Sequence, residues 1–163
     1  MNAIDRLKPA SNDSNRVYVI IDTPKGSRNK FKWDEKLEVL KLSHVLTAGA
    51  AFPFDFGFVP GTRSADGDAL DVLVFTDEPL FPGCLVPARL VGVIEAEQTQ
   101  EGKTLRNDRM LAVAIPSHLY AAVHELEDLP PSLLDEIEQF FINYNVMRDR
   151  TFKPIGRRGS AAA

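Results

Sequence analysis

The sequence predicts a mainly β fold, a small barrel with a helix packed on it, and three observations carry that expectation. Short apolar or alternating runs fill the chain from Val17 to Ile115. Proline and glycine separate them, at Pro24-Lys25-Gly26, Pro60-Gly61 and Pro82-Gly83, where the chain is expected to turn. A single stretch with a 3.6-residue apolar repeat comes after them. Many short strands followed by one good helix close most simply as a barrel with that helix laid against it.

Each element has its own reason. Val17 to Ile21 is a short β-branched run. Arg28 to Trp33 alternates basic with apolar or amide residues, which puts Arg28, Lys30 and Lys32 on one strand face. Asp34-Glu35-Lys36 is the turn after it, and Leu37 to Leu42 alternates apolar and charged residues. Val72 to Phe75 is continuously apolar, as a strand buried on both faces must be. Leu85 to Ile94 and Met110 to Ile115 are further apolar runs. The helix begins at Pro130-Pro131, suited to a first turn. Leu133, Leu134, Ile137, Phe140, Phe141 and Tyr144 form its stripe, with Asp135, Glu136, Glu138 and Gln139 opposite.

A length of 163 residues fits one domain with its own core. The expected organisation is a polar arm at 1–16, one domain at 17–155 and a flexible tail at 156–163. No run approaches the roughly 20 apolar residues of a membrane helix, and the first residues lack the apolar core of a secretory signal; the expectation is a soluble, cytoplasmic protein. Cys84 is the sole cysteine, so no internal disulfide forms, and it reads as a packing residue. A net charge of −4 argues against nucleic acid or an anionic membrane as partner, since both select a basic face.

The chemistry concentrates in Asp66-Gly67-Asp68-Ala69-Leu70-Asp71, which runs into Val72-Leu73-Val74-Phe75. Three carboxylates within six residues repel one another unless a cation or solvent offsets them, and oxygen-only ligands favour hard ions such as Mg²⁺ or Ca²⁺. Side-chain parity places Asp68 with Leu70 and Val72, and Asp71 at the strand entrance on the other face. An EF-hand is excluded: counted from Asp66, its glycine and final glutamate would have to be Asp71 and Asp77. An acidic surface turn closing a hairpin is the rival reading.

The DGDALDVLV stretch resembles the signature of soluble family I inorganic pyrophosphatases, and the likeness continues in order. IDTPKGSRNKFKWD (21–34), FPFDFGFVPGT (52–62), TDEPLFPGC (76–84), ARLVGV (88–93) and EDLPPSLLDEIEQFFINY (127–144) resemble successive segments of that family. The likeness implies an α+β, mainly β fold: an OB-like five-stranded β-barrel with flanking α-helices. It implies a hexamer, and Mg²⁺-dependent hydrolysis of pyrophosphate by a metal-activated water. Asp66, Asp68 and Asp71 would then be metal ligands, with Asp68 also catalytic through the attacking water. Lys30, Tyr144 and Arg109 would bind substrate phosphate, and Asp22 would stand behind them.

The chain departs from the family pattern at several of its positions. Asp22 stands for a glutamate and Arg109 for a lysine. Lys32 stands for a glutamate, Gln98 and Asn107 in the loop at 95–108 for two aspartates, His44 for an arginine, Phe52 and Phe56 for tyrosines, and Asn145 for a lysine. Tallied residue by residue, the site becomes about two units more positive. Such a site should hold fewer Mg²⁺ ions and take an anion directly on Lys30, Lys32 and Arg109. Two functions follow as expectations: a Mg²⁺-dependent pyrophosphatase with reduced or altered activity, or an impaired homologue that binds a phosphorylated anion or acts as a regulatory or structural partner. A third reading is single-stranded nucleic acid stacking on Phe52, Phe54, Phe56 and Phe58; net charge and the interspersed prolines and glycine disfavour it.

Overall fold

Strands with apolar residues on both faces need cover on both sides, and a closed sheet under a helix gives it. The computed structural model describes residues 15–65 and 67–162. Its strands are β1 (Arg16–Thr23), β2 (Asn29–Asp34), β3 (Val39–Val45), β4 (Asp55–Val59), β5 (Leu70–Phe75), β6 (Leu85–Gln100), β7 (Lys103–Arg106), β8 (Arg109–Ala114) and β9 (Thr151–Gly159). The helix α1 (Pro131–Val146) lies between β8 and β9.

The main sheet runs β1-β4-β5-β8-β6, and a β1–β6 pairing closes it into a ring of five strands. Neighbours in the ring are antiparallel except β5 and β8, which are parallel. Alternation divides the apolar residues. Val72, Val74, Met110 and Ala112 join Val19, Ile21, Val86 and Ala88 in one buried cluster. Their neighbours Leu73, Phe75, Leu111 and Val113 join Leu134, Ile137 and Phe141 of α1 in another. The continuous run at 72–75 is thus buried on both faces. In β4, Gly57 is required by close approach: a Cβ there would sit 2.1 Å from the Ile20 carbonyl oxygen.

The β2–β3 hairpin forms a separate two-stranded sheet. Its second strand starts at Val39 rather than Leu37, because residues 35–38 turn and Glu38 takes φ +55°. Residues 95–108 form a hairpin of β6 and β7 rather than a loop, turned at Glu101 and Gly102, both with positive φ.

Strands extend past the expected domain bounds of 17–155, from Arg16 to Gly159. Residues 1–14 of the expected arm lie outside the described residues, and Arg16 already pairs with Arg89 in β1–β6. The expected tail at 156–163 is built into the fold through Ala162. Strand β9 pairs with β6 as far as Gly92 opposite Gly159, and Arg157 binds Asp135 and Glu138 on α1 at 2.6 and 2.7 Å. The Ser160 amide donates to Glu125 at 2.9 Å. Its small and basic composition reads as a tail because its partners are 19 or more residues away in sequence.

Candidate active site

A cavity of about 250 Å³ opens between the β2–β3 hairpin, the ring and α1, and Asp22, Lys30, Asp68, Asp71, Arg109 and Tyr144 all line it. Asp66 lies outside the described residues. The parity argument had put Asp68 and Asp71 on different faces. Alternation holds only inside a strand, and Asp68 sits in the bend after Gly67 (φ +87°) while Asp71 is the second residue of β5, so both reach the cavity.

Each of the three aspartates that line the cavity, Asp22, Asp68 and Asp71, faces a cation. Lys30 Nζ lies 2.8 Å from Asp22 Oδ1, with both side chains nearly buried (12% and 7% exposed). The same ammonium donates to the Phe31 carbonyl at 2.7 Å and to Thr23 Oγ1 at 3.4 Å, so three acceptors surround its three protons. Burial pushes the Asp22 carboxyl up to about 6, against the pull of Lys30. Arg109 Nη1 lies 2.9 Å from Asp71 Oδ2, the arginine 6% and the aspartate 27% exposed. Lys32 Nζ lies 3.2 Å from Asp68 Oδ2 in an open pair, both side chains 59% exposed.

Lys30 and Lys32 share the cavity as strand parity requires, but Arg28 does not join them; its Nε donates to the Leu46 carbonyl. A register shift between Lys30 and Phe31 pairs Lys30 with His44 across the hairpin and brings His44 to the cavity. His44 Nε2 lies 2.6 Å from Tyr144 Oη, which accepts a weak 3.4 Å bond from Arg148. Burial, reinforced by Arg148, Lys30 and Arg150, lowers the His44 imidazole to about 4, so it is neutral at pH 7. The neutral ring has one N–H donor and one acceptor nitrogen for its two neighbours, Tyr144 Oη at Nε2 and Ser43 Oγ 3.1 Å from Nδ1. Burial raises the Tyr144 phenol. Its ring packs on Phe52 and Phe140, so the residue serves both the helix stripe and the cavity.

The neutral substitutions have specific partners. Asn107 Nδ2 donates to Gln98 Oε1 at 2.7 Å, and Asn107 Oδ1 accepts from Arg109 at 2.6 Å. Asn145 is tied to the Phe141 carbonyl at 2.8 Å. Phe56 and Phe52 hold Lys30 over their rings at 4.8 and 5.8 Å, and Arg109 lies over Phe141 and Phe152. Sequence reasoning missed Arg148 and Arg150, which line the cavity just past α1. Two arginines spaced two apart after a helix end were the available signal.

The Inorganic pyrophosphatase family profile matches residues 19–163. This chain belongs to the inorganic pyrophosphatase family. It is 37% identical over 148 residues to the inorganic pyrophosphatase of Nostoc sp., covering 91% of this chain and 85% of that one. It is 37% identical over 145 residues to that of Methanosarcina acetivorans, covering 89% and 84%. The crystal structure of the Thermus thermophilus inorganic pyrophosphatase superposes with a TM-score of 0.89 at 30% identity, over 98% of this chain and 91% of that one. The closed ring with its packed helix is the inorganic pyrophosphatase fold.

The donor set decides which cation suits the site. No group of three or more His, Cys, Asp or Glu side chains converges among the described residues. Asp68 and Asp71 nonetheless both line the cavity with carboxylate side chains. Mg²⁺ keeps several waters and is commonly held by one or two carboxylates plus substrate phosphates. These residues fit one hard divalent cation that shares its ligands with a phosphate.

Proposed function

We propose that this inorganic pyrophosphatase family member hydrolyses pyrophosphate to two phosphates with Mg²⁺, using a thinned carboxylate shell. The observation that carries this is the arrangement of Asp68 and Asp71 against Lys30, Lys32 and Arg109 around one cavity. Among the described lining residues the five cations Lys30, Lys32, Arg109, Arg148 and Arg150 face the four carboxylates Asp22, Glu35, Asp68 and Asp71, a balance suited to a small phosphate anion. When bound, Mg²⁺ supplies Lewis-acid polarisation of phosphoryl oxygens and a water acidified toward neutral pH.

The chain's own groups do the rest. Asp68, the more exposed carboxylate, orients the attacking water and takes its proton. Asp71, fixed by Arg109, holds a ligand oxygen in place. Arg109 and Tyr144 bind phosphate oxygens, and Lys30 adds charge from behind its Asp22 partner. Nearly buried groups around Lys30 and Arg109 make this wall preorganised, which favours charge stabilisation in the transition state. Asn107 and Gln98 add no charge, so turnover is expected to be slower than a full carboxylate shell gives, by a factor of ten to a hundred for about 1.4–2.7 kcal/mol. The exposed Leu37, Val39, Leu42 and Val45 of the β2–β3 hairpin support a homo-oligomer, to be read by light scattering.

The Lys32–Asp68 and Arg109–Asp71 pairs favour a second reading, in which catalysis is impaired and the cavity binds a phosphorylated anion. Phosphate release from pyrophosphate, with and without Mg²⁺, decides between them. Mg²⁺-dependent release that Asp68→Asn abolishes supports hydrolysis; release no greater than that of Asp68→Asn supports the second reading.

A further inference from the structure

Two of the cation–carboxylate pairs lining the cavity differ in how readily they exchange. Arg109 is buried between Phe141 and Phe152 and keeps Asp71 at 2.9 Å. Its Nε is buried and has no hydrogen-bond partner. Lys32 and Asp68 are mostly exposed, and exposed pairs are weak and easily traded for another partner. Lys30 is enclosed by its three acceptors. Lys32 can therefore turn to an incoming oxyanion at little cost, by leaving Asp68.

We propose that Lys32 is an ammonium latch on Asp68, which makes the site bind a phosphate anion first and a divalent cation second. This rests on the reading that the cavity is the hydrolytic site. Without anion, Lys32 neutralises Asp68 and opposes a cation at that carboxylate. A phosphate group draws Lys32 toward its own oxygens, and Asp68 regains the charge that attracts Mg²⁺. The anion thus strengthens cation binding, and by reciprocity the cation strengthens anion binding. Anion uptake itself needs no metal, because Arg109 and Lys32 belong to the chain.

The test measures binding rather than turnover. Mn²⁺ is titrated by electron paramagnetic resonance in phosphate-free buffer against wild type, Lys32→Gln and Lys103→Gln. Lys103 lines the adjoining cavity that also contains Asp68, so it reports the general effect of removing a nearby positive charge. The latch predicts about tenfold tighter Mn²⁺ binding in Lys32→Gln and little change in Lys103→Gln. It also predicts that orthophosphate binds wild type in the presence of EDTA, and several-fold more weakly to Lys32→Gln. Unchanged or weaker Mn²⁺ binding in Lys32→Gln, equal tightening in both variants, or no metal-free phosphate binding overturns it. Failure of the hydrolytic reading looks different: the binding pattern is present but wild type releases no phosphate. Phosphate release without the binding pattern rejects the latch alone.

Discussion

Replacing Arg109 with methionine tests whether its ion pair with Asp71 holds the site together. The variant removes the guanidinium but keeps a flexible apolar chain able to fill the space between Phe141 and Phe152. Breaking a buried pair costs about 3–5 kcal/mol because one charge is left without its partner. Asp71 retains 27% exposure, so water offsets part of this and the lower end applies. Asn107, itself buried, also loses the donor that reaches its Oδ1 at 2.6 Å, worth about 1 kcal/mol. The expected destabilisation is about 3–4 kcal/mol, or a fall in Tm of about 10 °C for a domain of this size. Urea unfolding of Arg109→Met, Asp71→Asn and the double variant isolates the pair. A coupling energy of about 2–3 kcal/mol is expected. Single-variant losses that add within about 0.5 kcal/mol would refute the view that this pair, rather than burial alone, sustains the wall.

Two titrations act in opposite directions and need separate variants. Asp22 is raised by burial from 3.8 to about 6, so its stabilising contribution is full below about pH 4 and lost as pH rises through 6; the shift is worth about 3 kcal/mol. Asp22→Asn should remove that decline from urea midpoints taken between pH 4 and 7. His44 is lowered from 6.5 to about 4, so its contribution is present above pH 6.5 and lost as pH falls through 4; its imidazole resonances should stay flat from pH 8 to pH 5.5, and a midpoint near 6.5 would contradict its burial beside Arg148, Lys30 and Arg150. Gly57→Ala should cost at least about 3 kcal/mol or prevent folding, since the new Cβ meets the Ile20 carbonyl at 2.1 Å, as soluble yield and thermal unfolding will report.

The elements legible in the sequence were those whose local pattern matches their burial. β5 and β8 are buried on both faces and read as continuous apolar runs, and α1 carries its stripe in a 3.6-residue repeat. β4 was not read as a strand because Pro53 and Gly57 punctuate it, although every residue from Asp55 to Val59 is buried. β9 escaped for the opposite reason: most of its residues are exposed, and it is held by pairing to β6 and by arginine contacts to α1 that no local pattern encodes.

The site shows the same division more sharply. The sequence exposed the residue types and, through the family resemblance, a charge balance shifted toward positive. It could not assign partners, because the pairs join residues as far apart as 38 positions, as in Asp71 and Arg109. Partner choice changes what the charge tally means. An excess of cations spread over the cavity would simply repel a metal, but here Asp22, Asp68 and Asp71 each have a cation within 3.2 Å. Repulsion is therefore replaced by competition, and burial decides where competition is possible. Lys30 and Arg109 are enclosed with their aspartates and act as fixed charges, whereas Lys32 and Asp68 meet in solvent and exchange partners easily. A substitution that removes a carboxylate from such a site alters the number of charges; one that places a lysine beside a surviving carboxylate alters the order in which ligands reach it.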